Sequence, residues 1–269
     1  MSCYSISFYV VPMKLNLYKY LAYDDGAKAL INNGTLKYSH FSEFNDPFDC
    51  TVSYDVEDSL EYYKSRKDLI KAVGDKLNYS PAERIQKKPQ LLKNVDKSII
   101  NGDFHRGLLD PIGICCLSKV ADSILMWSHY ANHHKGVVVE FDTFQDKYTE
   151  LHDVEKTLLG YPIVYQGQMP KISARNGQDG FSAVQSTILT KSLSWKYENE
   201  VRVLSTHLGP GIHSFDHSLI SRIIAGVKMP SCDYLDLVER VTKINADKGL
   251  SIQVVKAKMS KENYEVITT

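Results

Sequence analysis

The chain has 269 residues, 43% of them hydrophobic, which is enough apolar material for one ordinary core. Its 32 basic and 32 acidic residues cancel, which excludes a global basic field, so any contact with nucleic acid has to be local. Cys3, Cys50, Cys115, Cys116 and Cys232 are odd in number and irregularly spaced, which excludes a disulfide framework and a CxxC metal knuckle. No run reaches the roughly 18 apolar residues of a membrane span. The apolar first dozen residues lack the basic start of a signal peptide, and the expectation is a soluble cytoplasmic protein.

In chain order, residues 15–20 (LNLYKY) predict a short strand, and residues 24–34 a helix capped by Asp24 and stopped at Gly34. Residues 35–39 alternate as a second strand. Phe44-Asn-Asp-Pro-Phe48 predicts a turn, because Pro47 disfavours helix at Asp46. Residues 56–106 are charged and helix-patterned, a helical insertion whose lysine patches read as a solvated face. A buried strand is expected over 112–118, a short helix over 123–131 and a β-branched strand over 136–141. Further strands are expected at 161–165, 200–205 and 252–257, helices at 181–193 and 231–248, and a mobile surface loop over 166–180. This order predicts one α+β domain over residues 1–269, with a mixed, mostly antiparallel central sheet and the helical insertion at 56–106.

Three segments concentrate polar and aromatic side chains. The first joins Tyr18-Lys19-Tyr20 to the turn holding Asn45 and Asp46, whose side chains either bond their own turn or face a ligand. The second is residues 126–136, where Trp127 and Tyr130 share a helix face and serve either as core or as an aromatic wall for a planar ligand. His129 and His133 lie four apart, but no glutamate follows His129, so no metal is expected. The third runs from Lys191 to Leu204. Alternation from Glu198 onward sets Glu198, Glu200 and Arg202 on one side, either as a solvent-facing ion ladder or as a rigid carboxylate site flanked by Trp195 and Tyr197. In the second case Arg202 orients Glu200 and keeps it ionised. Phosphate-binding loops, dinucleotide fingerprints and Gly-x-Ser-x-Gly are absent, and Cys115 and Cys116 on an apolar strand read as core.

Leu17 to Tyr20, Phe44 to Phe48, Met126 to Gly136 and Lys191 to Arg202, in this order, resemble a bacterial family catalogued as domain of unknown function 2971. Its block of the form MWSHYA-x-x-H-x-G adds His134 to the candidate ligand contacts. The chain is more loosely similar to the ADP-ribosyltransferase superfamily, including toxin-like members that act on nucleic acid. That similarity implies NAD as cofactor, with Tyr18 and Lys19 in the early position, Trp127 and Tyr130 in the middle one and Glu200 as the late catalytic glutamate. Glu198 and Lys191 join Glu200 as candidate catalytic groups. Tyr18, Lys19, Asn45, Asp46, Trp127, Tyr130, His134, Trp195 and Arg202 are the candidate ligand contacts. The implied function is ADP-ribosyl transfer to nucleic acid or protein, in a toxin or phage-defence setting. The alternatives are a non-catalytic pocket sensing a nucleotide or modified base and a nuclease or glycosylase.

Overall fold

Alternating burial along short strands organises this protein, whose computed structural model describes residues 16–101, 103–143, 154–173, 175 and 181–268. The chain runs through β1 (Asn16–Leu21), α1 (Asp25–Asn33), β2 (Thr35–Tyr38) and β3 (Ser53–Tyr54). Four helices follow, α2 (Val56–Ser65), α3 (Lys67–Lys76), α4 (Pro81–Ile100) and α5 (Asp103–Leu109). Next come β4 (Gly113–Ser118), α6 (Ile124–His129), β5 (Val137–Asp142), α7 (Val154–Thr157), β6 (Tyr161–Pro162), β7 (Val164–Gln166) and β8 (Lys171–Ile172). Helix α8 (Phe181–Ile188), β9 (Thr190–Ser192), β10 (Glu200–Ser205), β11 (Gly211–Ser214) and β12 (Ile220–Ala225) precede the long helix α9 (Ser231–Lys248). Strands β13 (Gln253–Lys256), β14 (Lys258–Met259) and β15 (Val266–Ile267) finish the described chain.

The central sheet has seven strands in the order β13-β12-β5-β1-β4-β10-β6. Every neighbouring pair is antiparallel except β12 and β13, which are parallel and joined through α9. This is the expected α+β fold, with the helices of residues 56–109 inserted between β3 and β4. One face of the sheet presents Leu17, Cys115, Leu117, Val139, Phe141, Val201, Val203 and Ile223 to Leu30 of α1 and Leu237 and Val241 of α9. Because side chains alternate along each strand, the opposite face carries Tyr18, Tyr20, Cys116, Ser118, Glu140, Glu200 and Arg202. Ser118, Glu200 and Arg202 make one end of that face polar, while Tyr20, Val138 and Ile224 of the same face pack on Trp127 in a second apolar cluster.

Several expected boundaries shift for local reasons. The helix expected over 181–193 stops at Ile188, whose carbonyl accepts from Arg202 at 2.6 Å, and Thr190–Ser192 pair with β7 instead. The strand expected over 161–165 breaks at Pro162, with β6 pairing to β10 and β7 to β9. Within the loop expected over 166–180, Lys171–Ile172 pair with β3; residues 174 and 176–180 lie outside the described residues, as does residue 15 of the first strand. Gly34 caps α1 in the left-handed conformation at φ 67, as its place in the sequence suggests. Among the described residues no helix is long and apolar enough to cross a membrane.

Candidate active site

Strands β1 and β4 pair through Tyr18 and Ser118 alone. Past that pair Lys19 Nζ bridges to the Cys116 carbonyl at 2.8 Å, and β4 finds another partner in Ser39. A cleft of about 140 Å³ opens here, lined by Tyr18, Lys19, Tyr20, Phe44, Asn45, Asp49, Cys116, Ser118, Met126, Tyr130, Lys191, Glu198 and Glu200.

Three separate devices bring the charged groups to its floor. Strand β10 places Glu200 and Arg202 two residues apart on one face, opposite Ser118 and Cys116 of β4. Glu198 ends a 3₁₀ turn, Leu193–Glu198, and Asn199 then takes a left-handed φ of 44. Strand alternation from Glu198 onward is therefore corrected: the reversal at Asn199, a residue type that tolerates positive φ, carries Glu198 to the same site from a turn. Ser118 Oγ pins that turn by donating to the Glu198 carbonyl at 2.6 Å. The third device is the turn at residues 44–49. Asp46 accepts the Phe48 amide at 2.9 Å through its side chain and the Asp49 amide at 3.1 Å through its carbonyl, which delivers Asp49 to the cluster.

The result is a buried ionic network. Arg202 has no exposed surface. It donates to Glu200 Oε1 at 2.7 Å, to Asp49 Oδ2 at 2.7 Å and to the Ile188 carbonyl at 2.6 Å. Lys191 Nζ stands 2.5 Å from Glu198 Oε2, 2.9 Å from Glu200 Oε2 and 3.4 Å from Asp49 Oδ2. The Tyr130 hydroxyl donates to Glu198 Oε1 at 2.6 Å. Burying charges costs several kcal/mol each unless they are paired and hydrogen-bonded, and every one of these is. A solvent-facing ladder of Glu198, Glu200 and Arg202 is ruled out, since all three are buried.

Two cations serve three carboxylates, and the carboxylates divide accordingly. Burial alone raises the pKa of Glu200, but Arg202 and Lys191 outweigh it and hold that carboxyl well below the usual range. For Glu198 burial wins over Lys191 and Tyr130, and its pKa rises. Burial opposes charge on Lys191, yet Glu200, Glu198 and Asp49 more than compensate and keep it protonated. Tyr130 is pushed up by burial and by Glu198, so it remains a donor. Two carboxylates whose environments drive their pKa values apart mark a division between a fixed anion and a proton carrier.

Of the sequence-expected residues, Tyr18, Lys19, Asn45, Tyr130, Lys191, Glu198 and Glu200 meet at this cleft. Trp195 stands at its edge, its ring centroid 5.1 Å from Lys191 Nζ. Four others are placed elsewhere. Trp127 is not a wall for a ligand: it is fully buried, donates its indole N–H to the Ala121 carbonyl at 2.8 Å and meets the edge of Tyr20. His134 lies stacked behind Trp127, bonded to Ser128 and facing a different groove. Asp46 serves its turn, and Arg202 lies under the cleft floor with its donors committed to protein groups. Tyr20, Phe44, Asp49, Cys116, Leu117, Ser118 and Met126 complete the lining and are not among the residues expected there. Tyr20 and Phe44 belong to the LNLYKY segment and the Phe44–Phe48 turn, whereas Asp49 and Cys116 have no sequence pattern that marks them. Among the described residues no group of three or more His, Cys, Asp or Glu side chains is arranged to hold a metal ion.

The fold and cleft define an α+β protein with a carboxylate–ammonium site set where two parts of its sheet diverge. Residues 126–203 match the model of a family described as Protein of unknown function (DUF2971). The match runs from α6 into β10, so it includes Tyr130, Lys191, Glu198, Glu200 and Arg202, whereas Tyr18, Lys19 and Asp49 come from outside it. No curated protein and no solved structure matches the chain.

Proposed function

We propose that the protein is an ADP-ribosyltransferase-like enzyme that uses NAD and breaks an N-glycosidic bond in this cleft. The observation that carries the reading is the Glu198–Glu200 pair, with opposite pKa shifts, facing an early strand and a tyrosine-bearing helix across one small cavity. At about 140 Å³ the cleft is smaller than the several hundred Å³ of a typical ligand pocket. It therefore fits one end of the dinucleotide, a planar ring flanked by Tyr18, Tyr20, Phe44 and Tyr130, with the remainder lying over its mouth. NAD supplies an ADP-ribosyl group attached to a good leaving group, the electron pair of the broken bond returning to the ring nitrogen. Glu200, its pKa lowered by Arg202 and Lys191 and its carboxylate bonded to both, faces the positive charge that builds on the sugar, where a preorganised anion acts most strongly. Glu198 takes the proton that an incoming hydroxyl or amine loses as it bonds to the same sugar carbon, and Tyr130 orients that carboxylate.

Incubation with NAD and chromatographic detection of free nicotinamide tests this directly. Release is expected from the intact protein and loss of release from Glu198→Gln. A folded protein that releases no nicotinamide with or without an added acceptor excludes the reading.

A further inference from the structure

Beside the cleft, four rings form a continuous row. The centroids of Trp195 and Tyr197 are 6.0 Å apart, those of Tyr197 and His129 6.3 Å and those of His129 and Tyr130 6.2 Å. The row is built from two rigid elements, α6 and the 3₁₀ turn Leu193–Glu198. Trp195 and Tyr197 are half-buried and His129 is exposed, so each of these residues keeps part of its surface in solvent. The row ends inside the cleft, where Tyr130 donates to Glu198.

Two exposed lysines flank the row in a chain of zero net charge. Lys196, between Trp195 and Tyr197, is exposed, and so is Lys119, whose amide donates to the Asn199 carbonyl at 3.0 Å beside the Glu198 turn. Among the described residues neither lysine has a carboxylate at ion-pair distance. Residues 126–135 and 189–197 contain no Asp or Glu, while the Lys119 segment carries the exposed Asp122.

Partly exposed aromatic rings in a row, flanked by two exposed lysines, match the two needs of single-stranded nucleic acid: stacking for bases and cations for phosphates. We infer that this row is a platform for a single-stranded nucleic acid, with bases on Trp195 and Tyr197, phosphates at Lys196 and Lys119, and the strand led toward Tyr130 and Glu198 as acceptor. The acceptor role rests on the transferase reading; the binding itself does not.

The test is fluorescence anisotropy with labelled oligodeoxythymidylate and oligouridylate of about ten nucleotides, across a salt series, without NAD. Both strands report the shared chemistry, and tighter binding of one identifies DNA or RNA as the source. Trp195→Ala is expected to weaken binding about tenfold or more, with Trp195→Phe restoring most of it. Lys196→Glu should weaken binding and flatten its salt dependence, as loss of a phosphate contact does. The remote exposed Ile85→Ala should change nothing. No oligonucleotide binding at low salt, equal binding of duplex, or wild-type affinity in Trp195→Ala overturns the inference in favour of a protein or small-molecule acceptor. Nicotinamide release measured on the same preparations separates the two readings. Oligonucleotide binding without release removes the transferase alone, and release without oligonucleotide binding removes only this inference.

Discussion

Arg202, with no surface exposed, donates its Nε–H to Glu200 Oε1 at 2.7 Å, and the two lie on the same face of one strand. The pair therefore couples the fold to the site: the guanidinium that fixes the carboxylate also ties β10 to Asp49 and to the end of α8. Removing one partner leaves buried charges uncompensated, which costs about 3–5 kcal/mol. Arg202→Ala should lose that much in equilibrium denaturation. Arg202→Lys should recover only part, because one ammonium cannot replace a planar fork that serves three acceptors. An Arg202→Ala protein within about 1 kcal/mol of wild type would show the network to be energetically idle.

Glu200 and Glu198 should affect stability with opposite pH dependence. Glu200 has a folded pKa below its ordinary value of 4.5, so it binds its proton less tightly when folded. Its contribution is complete above 4.5 and is lost as pH falls toward the folded value. Glu198 has a raised folded pKa, so its contribution is present below 4.5 and is lost as pH rises through the folded value. Glu200→Gln should therefore destabilise at neutral pH, by about 3 kcal/mol for one half of a buried pair, and flatten the acid limb of the stability profile. Glu198→Gln should be neutral or stabilising at pH 7. Urea denaturation of both variants from pH 3 to 8 decides it, and identical profiles would remove the division of roles.

Tyr130 lowers the pKa of Glu198 by donating to it. Tyr130→Phe removes that bond, so Glu198 should titrate at higher pH than in the wild type. The acid limb of the rate profile for nicotinamide release should move upward by the same amount. Stability should fall by only about 1 kcal/mol, the usual net value of one hydrogen bond. A rate profile that falls in height without moving along the pH axis would mean that Tyr130 positions substrate and leaves Glu198 untouched.

The sequence made some of this arrangement legible because its causes are local. Strand alternation set Glu200 and Arg202 on one face, and β10 has the expected bounds. The Asn-Asp-Pro turn declared itself through Pro47 and Asp46. Alternation extends the strand to Glu198 because it is blind to one left-handed residue, and Asn199 supplies it. Asp49 escaped notice because a lone carboxylate has no pattern; only the folded turn shows that it meets Arg202. Helical spacing placed Trp127 and Tyr130 near one another, but it cannot say what covers each. Tyr20 and His134 enclose Trp127, and Glu198 meets Tyr130. The Tyr20–Trp127 and Tyr130–Glu198 contacts join segments distant in sequence.

The two tryptophans should therefore separate cleanly in experiment. Trp127 is fully buried among Tyr20, Met126, Ala131, Val138 and Ile224, with its indole N–H bonded to the Ala121 carbonyl. Truncating a packed ring of this size costs about 3–5 kcal/mol through lost contacts and the cavity left behind, and here the Ala121 carbonyl also loses its donor. Trp127→Ala should lose that much stability in urea denaturation, while Trp127→Phe should lose less because it refills most of the space. At a temperature where Trp127→Phe is fully folded, its KM for NAD should equal that of the wild type, since the ring does not line the cleft. Trp195, half-buried at the edge, should behave in the opposite way: Trp195→Ala should keep the wild-type unfolding free energy within about 0.5 kcal/mol. Its deficit should appear in what the protein binds. A stable Trp127→Ala with a raised KM would return that ring to the site and contradict its burial.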